Sequence, residues 1–480
     1  MSELCDLSAV ELRRKIVSRE ISPVELLDSC LGRIEAVNPR LNAVVAMDVD
    51  AARKAARAAE EQVTKAETLG LLHGLPLGIK DLNETAGLRT TYGSPLFRDF
   101  VPQTDCGVVA SMREAGGVIL AKTNTPEFGA GANTWNDVYG ATGNPFDPDK
   151  TCAGSSGGSA VALATGMLPL CNGSDLGGSL RTPASFCGVV GLRPTSGLVP
   201  DESRTVAFSP LPVEGPMGRT VADVALLLAS QVRNDVRDPY ARFWRNPESF
   251  AVLEPVDLGR LRVAFSEDLG FAPVSQEVRD CFRDRRAKLA ALFGTAEERD
   301  PDMGDADRIF EILRGVNFLA AHLQKVRESP DQVGPNVRAN VELALTHTAE
   351  DVAWASAEHT RLYQRFTTFM QDLDLLIVPA AAVTPFPKSQ NHPTEIDGKP
   401  LSSYIRWVAL SYGLTLTTRP VLCVPCGTDR HGMPFGLQLV GRRFHEARLL
   451  AIGAALEAAM QHLPSCGRPV PDLSKLTGHG

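Results

Sequence analysis

Two clusters of serine and glycine lie close together in the stretch Cys152–Pro183 and could form one reactive site. The first cluster is Gly154–Ser159 and the second is Gly173–Ser179, and a small-residue apolar segment joins them. Glycine adds no side chain to a core, but it lets several backbone N–H groups converge on one point. An oxyanion site requires such convergence. The stretch therefore predicts a composite site whose base and walls come from elsewhere in the chain.

A serine nucleophile in this stretch would need a base. Gly154–Gly158 matches the G-x-S-x-G elbow of serine hydrolases, but that elbow follows a strand, and residues 144–150 (NPFDPDK) have loop composition. The sequence thus disfavours an elbow served by a downstream Asp and His. Lysine is another recognised base for serine, and Lys80 is the best candidate because burial at the end of an apolar run would lower its pKa. A lysine at a strand end is by itself more often a surface residue.

Metal, redox and phosphate chemistry have little support in the sequence. Cys423–Cys426 is a C-x-x-C motif, but no second pair at zinc spacing accompanies it, and packing at a strand end is the preferred interpretation. The nine histidines form no H-x-x-H or H-E-x-x-H pattern, and no Walker lysine motif is present. We therefore expect neither a metal nor another cofactor.

Composition limits the location and the partners. The chain has 480 residues, 44% of them hydrophobic, with a net charge of -8, so a basic nucleic-acid or anionic-membrane interface is not expected. The first fifteen residues lack a signal pattern, and no apolar run approaches the roughly 18 residues that span a bilayer. Scattered cysteines are typical of a reducing compartment. The sequence predicts a cytoplasmic protein.

The pattern of helices and strands that must position the serines predicts an α/β fold. From residue 71 onward, short apolar runs alternate with helical segments, which favours parallel pairs whose carboxyl ends carry the site. Lys80 and Asn124 both lie at such ends. The predicted strands are Leu75–Asp81, Val118–Asn124, Leu261–Phe265, Asp374–Pro379, Pro420–Pro425 and Phe435–Gly441; the predicted helices are Val108–Glu114, Ser159–Met167, Ala222–Gln231, Ser275–Phe293 and Glu446–Met460.

No repeat or linker interrupts the chain, so residues 1–480 are predicted to form a single large domain. Its centre is expected to be a mixed, mostly parallel twisted sheet with helices on both faces. Within it we expect N-terminal helices over 1–70, including Ala51–Ala66, and a catalytic core over 71–225. A variable, mostly helical region over 230–370 and C-terminal strands with a helix over 371–465 would complete the sheet.

Several of these segments together resemble the amidase signature family and occur in its order over nearly the whole chain. The matching segments are Leu75–Asp81 (LPLGIKD), Lys122–Asn124, Gly154–Ser159 (GSSGGS), Gly173–Pro183 (GSDLGGSLRTP), Cys187–Thr195 (CGVVGLRPT), Gly215–Asp223 (GPMGRTVAD) and Gly436–Gly441. Resemblance is weaker from about residue 230 to 370.

The resemblance implies a Ser–cis-Ser–Lys triad that hydrolyses carboxylic amides. Ser179 matches the nucleophile, Ser155 the bridging serine that relays protons, and Lys80 the base. The backbone N–H groups of Leu176, Gly177, Gly178 and Ser179 match the oxyanion hole. Asp175 and Arg181 also match family positions and are interpreted as supports of the glycine loop.

Substrate identity is less constrained than the chemistry. Gly129 and Ala130 match the start of the family's acyl-side pocket, although these small residues could equally serve only to turn the chain. Small aryl or alkyl amides are the expected substrates, with anilides and carbamates (urethanes) included. The alternative is the glutaminase subunit of a tRNA-dependent amidotransferase. General amidases are favoured, because they match the segments Asn124–Phe128 and Asp175–Gly178 better than that subunit does. The oligomeric state is left open, a homodimer included.

Overall fold

The helices of the computed structural model, which describes residues 3–65 and 67–477, cover much of the chain. They are α1 (Ala9–Val17), α2 (Pro23–Leu41), α3 (Val49–Thr64), α4 (Gly107–Glu114), α5 (Gly157–Ala164), α6 (Arg181–Cys187), α7 (Val221–Gln231), α8 (Gln276–Leu289), α9 (Ala306–Glu328), α10 (Pro335–Ala344), α11 (Ala349–Phe369), α12 (Ala409–Leu416) and α13 (Glu446–Met460).

The strands are short. They are β1 (Val44–Met47), β2 (Pro76–Lys80), β3 (Val118–Thr123), β4 (Trp135–Asn136), β5 (Gly140–Ala141), β6 (Leu170–Asp175), β7 (Val190–Arg193), β8 (Val213–Gly218), β9 (Arg262–Phe265), β10 (Thr295–Glu298), β11 (Leu375–Pro379), β12 (Glu395–Ile396), β13 (Lys399–Pro400), β14 (Val421–Thr428) and β15 (Pro434–Val440). Every predicted strand is present.

The N-terminal helices expected over residues 1–70 are present, and capping residues begin them. The Ser8 side chain accepts a hydrogen bond from the backbone of Glu11 at the start of α1. Ser22 and Glu25 form a reciprocal capping box at α2, with Pro23 in its first turn. The predicted third helix is α3, and its expected last residue, Ala66, lies outside the described residues.

One 11-stranded mixed sheet organises the described residues, in the order β1-β3-β2-β6-β8-β7-β14-β15-β11-β9-β10. The predicted parallel pair β2–β3, with α4 as crossover, is confirmed, and β2–β6, β9–β10 and β9–β11 are parallel as well. The other neighbours are antiparallel, so the prediction of a mostly parallel sheet is wrong in that detail. The reason is that β6, β7 and β8 pair antiparallel in the middle of the sheet.

Helices cover both faces of the sheet. Neighbouring residues on a strand point to opposite faces, and Leu170 and Cys171 of β6 accordingly belong to two different apolar cores. Helix α5 belongs to the core that contains Cys171, whereas α7 packs against α13 in the core that contains Leu170. This two-sided burial explains why β2, β3 and β8 are buried along their whole length.

Candidate active site

Lys80 is the last residue of β2, and its side chain is fully buried among hydroxyl groups. Its Nζ donates to Ser155 Oγ at 2.7 Å, to Ser156 Oγ at 3.0 Å and to Ser174 Oγ at 2.9 Å. Its backbone N–H donates to Asn172 Oδ1 at 2.8 Å, which fixes the end of the strand. The lysine predicted from sequence therefore meets both serine clusters.

The protonation of Lys80 is set by its surroundings. Burial lowers the pKa of Lys80 to about 7, while the carboxylates of Glu214 and Asp175 act in the opposite direction. Glu214 lies on β8, opposite Ser174 of β6. Burial raises the pKa of Glu214, and its Oε2 has no hydrogen-bond partner among the described residues. Burial therefore favours the uncharged form of both groups.

The first cluster presents Ser155 to both the lysine and a cavity. The Gly154–Ser155 peptide bond is cis, and Ser155 lies on the cavity wall. Ser156 bonds Lys80 as well, but its hydroxyl donates to the Ser174 carbonyl at 3.3 Å and is not on that wall. No strand precedes this cluster between Ala141 and the start of α5, all within the described residues, which agrees with rejection of the elbow.

The second cluster lies in a strand–turn–helix unit, since β6 ends at Asp175 and α6 begins at Arg181. Asp175 is buried, and its carboxylate accepts from Arg181 Nη2 at 2.9 Å and from Arg193 Nη1 at 3.2 Å. Burial alone would raise the pKa of Asp175, but these guanidinium groups hold it well below its usual range. Asp175 and Arg181 therefore brace the turn that carries Ser179, as predicted.

Backbone donors line the same turn. The N–H of Gly178 donates to Asp175 Oδ1 at 2.9 Å, so this predicted oxyanion donor is engaged within the protein. The N–H groups of Leu176, Gly177 and Ser179 bond no partner among the described residues. The carbonyl of Ser179 accepts from the Ser156 N–H at 3.3 Å, which ties the two clusters together.

A cavity of about 230 Å³ opens over these groups. Ser155, Ser179 and the turn 174–178 line it, and so does Gly129, where a Cβ would lie 3.4 Å from Ser155 Oγ. Ala130, also predicted for the pocket, instead packs in a small apolar cluster with Phe318. The other walls are largely apolar and come from the following residues: Leu82, Phe128, Ala132, Pro212, Val213, Phe310, Phe318, Ile405 and Val408.

Sequence reasoning missed some residues of the site. Ser174 is in the second cluster, but its local sequence does not mark it as a partner of the lysine, and Glu214 stands directly before the matching segment Gly215–Asp223 without being part of it. Arg314 and Phe310 lie four residues apart on α9, so their helical spacing could have placed them on one face. That spacing does not say whether the face meets a core or a cavity.

Comparison with known proteins finds relatives that match nearly the whole chain. A sequence model described as Amidase matches residues 25–450. An acylamidase of Rhodococcus erythropolis is 35% identical over 460 residues, which is 94% of this chain and 95% of the relative. One of the subunits of the glutamyl-tRNA(Gln) amidotransferase of Rippkaea orientalis is 32% identical, covering 94% of this chain and 97% of the relative. The crystal structure of a bacterial aryl acylamidase superimposes with a TM-score of 0.89 at 26% identity, covering 99% of each chain.

The chain belongs to the amidase signature family, and it is an amide-hydrolysing enzyme. None of the helices in the described ranges is long and apolar enough to cross a membrane. Within the same ranges, His, Cys, Asp and Glu side chains do not gather into a group that could hold a metal ion.

Proposed function

We propose that the protein hydrolyses small carboxylic amides through an acyl-enzyme on Ser179, with Lys80 as base and Ser155 as proton relay. The observation that carries the proposal is the 2.7 Å hydrogen bond from Lys80 Nζ to Ser155 Oγ, at a cavity that Ser179 also lines. A lysine can serve as base only when neutral, and burial lowers the pKa of Lys80 to about 7.

The proposed reaction has two halves. Neutral Lys80 accepts a proton through Ser155 from the Ser179 hydroxyl, and Ser179 Oγ forms a bond to the amide carbon. Ser155 then returns a proton to the nitrogen, the C–N bond breaks, and the amine leaves. Water, deprotonated by the same relay, adds to the ester, so that the carboxylic acid departs and the Ser179 hydroxyl is restored.

The charge that develops on the amide oxygen would be stabilised by the backbone. The N–H groups of Leu176, Gly177 and Ser179 are available for it, because no protein group accepts from them among the described residues. Gly178 would act indirectly, by holding the turn through its bond to Asp175. Removal of one such donor typically costs about 2.7–4 kcal/mol of transition-state stabilisation.

The apolar walls favour aryl or alkyl amides, anilides among them. The names of the relatives, acylamidase and aryl acylamidase, point the same way. Carbamates would follow the same acyl-transfer path, since their carbonyl is attacked in the same manner. The cavity alone does not distinguish them from amides.

The second candidate function is glutamine hydrolysis inside an amidotransferase complex, which the 32% identity to an amidotransferase chain supports. A free-standing enzyme should release p-nitroaniline from acetyl-p-nitroanilide as a single purified chain. Turnover restricted to glutamine, or dependent on added partner subunits, would favour the second candidate.

The roles are tested by kcat/KM for acetyl-p-nitroanilide in four variants. Ser179→Ala, Lys80→Ala and Ser155→Ala should each reduce it by roughly 10³-fold or more, because serine and base act as a unit. Ser156→Ala is the matched control, since Ser156 also bonds Lys80 but lies off the cavity wall, and it should lose far less activity. Full activity in Ser179→Ala would contradict the assignment.

A further inference from the structure

Arg314 stands on the cavity wall in the middle of an aromatic stripe on α9. Phe310, Arg314 and Phe318 follow one another at four-residue spacing and all line the cavity. Phe310 packs against the turn 174–178, where its Cζ would be 3.1 Å from a Cβ at Gly177. Because a helix rises about 1.5 Å per residue, Arg314 lies about one turn, roughly 6 Å, further along the cavity.

The guanidinium of Arg314 is buried without an anionic partner. Arg314 is 8% exposed, and it donates to Asn340 Oδ1 and to the Tyr404 hydroxyl, both neutral groups. Its charge also lies 4.3 Å from the centre of the Phe318 ring. Among the described residues no carboxylate oxygen lies within 4.0 Å of it. By contrast, Arg181 and Arg193 below the cavity share the carboxylate of Asp175.

A buried cation with no counter-charge is unfavourable unless a ligand supplies one. Arginine stays protonated in proteins and offers five N–H donors in a planar fork that fits a carboxylate. Asn340 and Tyr404 hold the guanidinium of Arg314 in place, and its remaining N–H groups can donate to a ligand. Arg314 is the only lysine or arginine among the described residues that line this cavity.

The acidic groups of the cavity do not serve as its counter-charge. Asp201 Oδ2 lies 3.7 Å from Arg204 Nε. Glu214 lies on β8, opposite Ser174, and burial raises the pKa of the Glu214 carboxyl group. A smaller adjoining cavity of about 150 Å³ shares Phe128 and Phe318 with the first and is lined by His322. Lys325, whose Nζ lies 5.6 Å from the Phe128 ring centre, likewise has no carboxylate partner among the described residues.

We propose that Arg314 binds a carboxylate on the substrate, so that the preferred amides carry an anionic group on the part of the molecule that lies along α9. This inference rests on the proposed function, because it assigns the second end of a substrate whose amide lies at Ser179. The apolar stripe contacts the segment between the two ends. Lys325, beside the Phe128 ring, adds attraction for an anion entering from that side.

The test compares kcat/KM for succinyl-p-nitroanilide with that for its methyl ester, in which a neutral ester replaces the distal carboxylate. The wild-type enzyme should prefer the free acid by about 10-fold or more, because a buried polar site discriminates strongly against an analogue that leaves it unpaired. In Arg314→Met the ratio should fall toward one, and Arg314→Lys should restore part of it. Arg308→Met is the matched control, since Arg308 lies on the same helix, pairs with Asp351 and should leave the ratio unchanged.

Two outcomes would overturn the inference: no preference for the free acid in the wild-type enzyme, or an unchanged preference in Arg314→Met. If Arg314→Met does not fold, the wild-type enzyme still decides. Succinate should then inhibit hydrolysis of acetyl-p-nitroanilide competitively and dimethyl succinate should not, and equal inhibition by both would contradict the proposal. Failure of the proposed function would look different, since Ser179→Ala would then keep its activity on every substrate.

Discussion

Lys80 differs from an ordinary lysine in having hydroxyl groups as its hydrogen-bond partners. Three serine oxygens accept from its ammonium at 2.7–3.0 Å, and none of them carries a charge. Hydroxyl partners bind the ammonium less strongly than carboxylates do, and burial therefore dominates the pKa of the amine. At the residue scale, the proposed chemistry depends on whether the Lys80 ammonium has lost a proton.

The pH dependence of kcat/KM should follow the deprotonation of Lys80. In the proposed mechanism the neutral amine is the active form, so kcat/KM for acetyl-p-nitroanilide should rise with pH, with a midpoint near 7, the pKa to which burial lowers Lys80. The measurement is a kcat/KM profile from pH 5 to 9 at constant ionic strength. A flat profile across this range would contradict a neutral Lys80 as base.

Glu214→Gln provides the companion variant for this profile. Ionised Glu214 favours the ammonium form of Lys80, and glutamine removes that attraction, so the acidic limb should move to lower pH. Ser203→Ala is a control, because Ser203 bonds the cavity-lining Asp201 and makes no bond to Lys80. Movement of the limb to higher pH would show that Glu214 does not act on Lys80 through its charge.

The sequence marks the residues to which we assign the reaction, but not their surroundings. Lys80, Ser155 and Ser179 stand in segments whose spacing and composition mark them locally. Arg314 and Glu214 carry no such mark, because their importance arises from their surroundings in the fold. Arg314 has only neutral hydrogen-bond partners, and the strand of Glu214 pairs with β6. Pairings of this kind are absent from a single sequence.

At the scale of elements, the site depends on the close approach of α5 to the end of β3. The N–H of Gly158, in the first turn of α5, donates to the carbonyl of Asn124 at 3.1 Å. A Cβ at Gly158 would lie 2.2 Å from Asn124 N and 2.7 Å from Ala43 O, both backbone atoms. The first serine cluster can therefore reach Lys80 only because this position has no side chain.

Gly158→Ala should lower the free energy of unfolding by about 1–3 kcal/mol or more, because the backbone must move to admit the methyl group. It should also lower kcat, since Ser155 lies two residues before α5 begins and would move with it. Gly32→Ala, in the exposed interior of α2 with nothing within 4 Å of its Cβ, should instead raise stability by about 0.5–1 kcal/mol. Urea denaturation measures both, and equal stability of the two variants would contradict the close-approach argument.

Elements were predictable where their signals are local. A capping box marks the start of α2, and apolar content marks α13. The strands β2 and β3 are short, mainly apolar runs. The strands β6 (LCNGSD) and β8 (VEGPMG) show neither an apolar run nor alternation, yet both are almost wholly buried. They are strands because their neighbours pair with them, and this is also why the antiparallel centre of the sheet escaped prediction.

At the scale of the whole molecule, the sheet consists of two halves that follow one another in the chain. The strands from β1 to β7 in the sheet order come from residues 44–218, and those from β14 to β10 come from residues 262–440. The halves meet where β7 pairs antiparallel with β14, with Leu192 opposite Leu422. Stability of the first half, which contains the site, therefore depends on a strand in the second.

Leu422→Pro should destabilise both halves together by about 3 kcal/mol or more, since proline removes a backbone donor and restricts the strand. Hydrogen exchange is the measurement, and amides of β2 and β6 should lose protection along with those of β11. Val470→Pro, at an exposed position between two prolines, is the control and should change little. Loss of protection confined to residues 262–440 would show that the halves unfold independently.

The same junction has a consequence for the chain as it is being made. The segments that carry Lys80, Ser155 and Ser179 emerge from the ribosome first, and with them the strand β7, whose far edge has no partner until β14 appears. At about 5–20 residues per second, the roughly 230 residues between β7 and β14 take on the order of 10–50 s to synthesise. During that interval the nascent chain exposes an open sheet edge beside an apolar core, the feature that invites aggregation and chaperone binding.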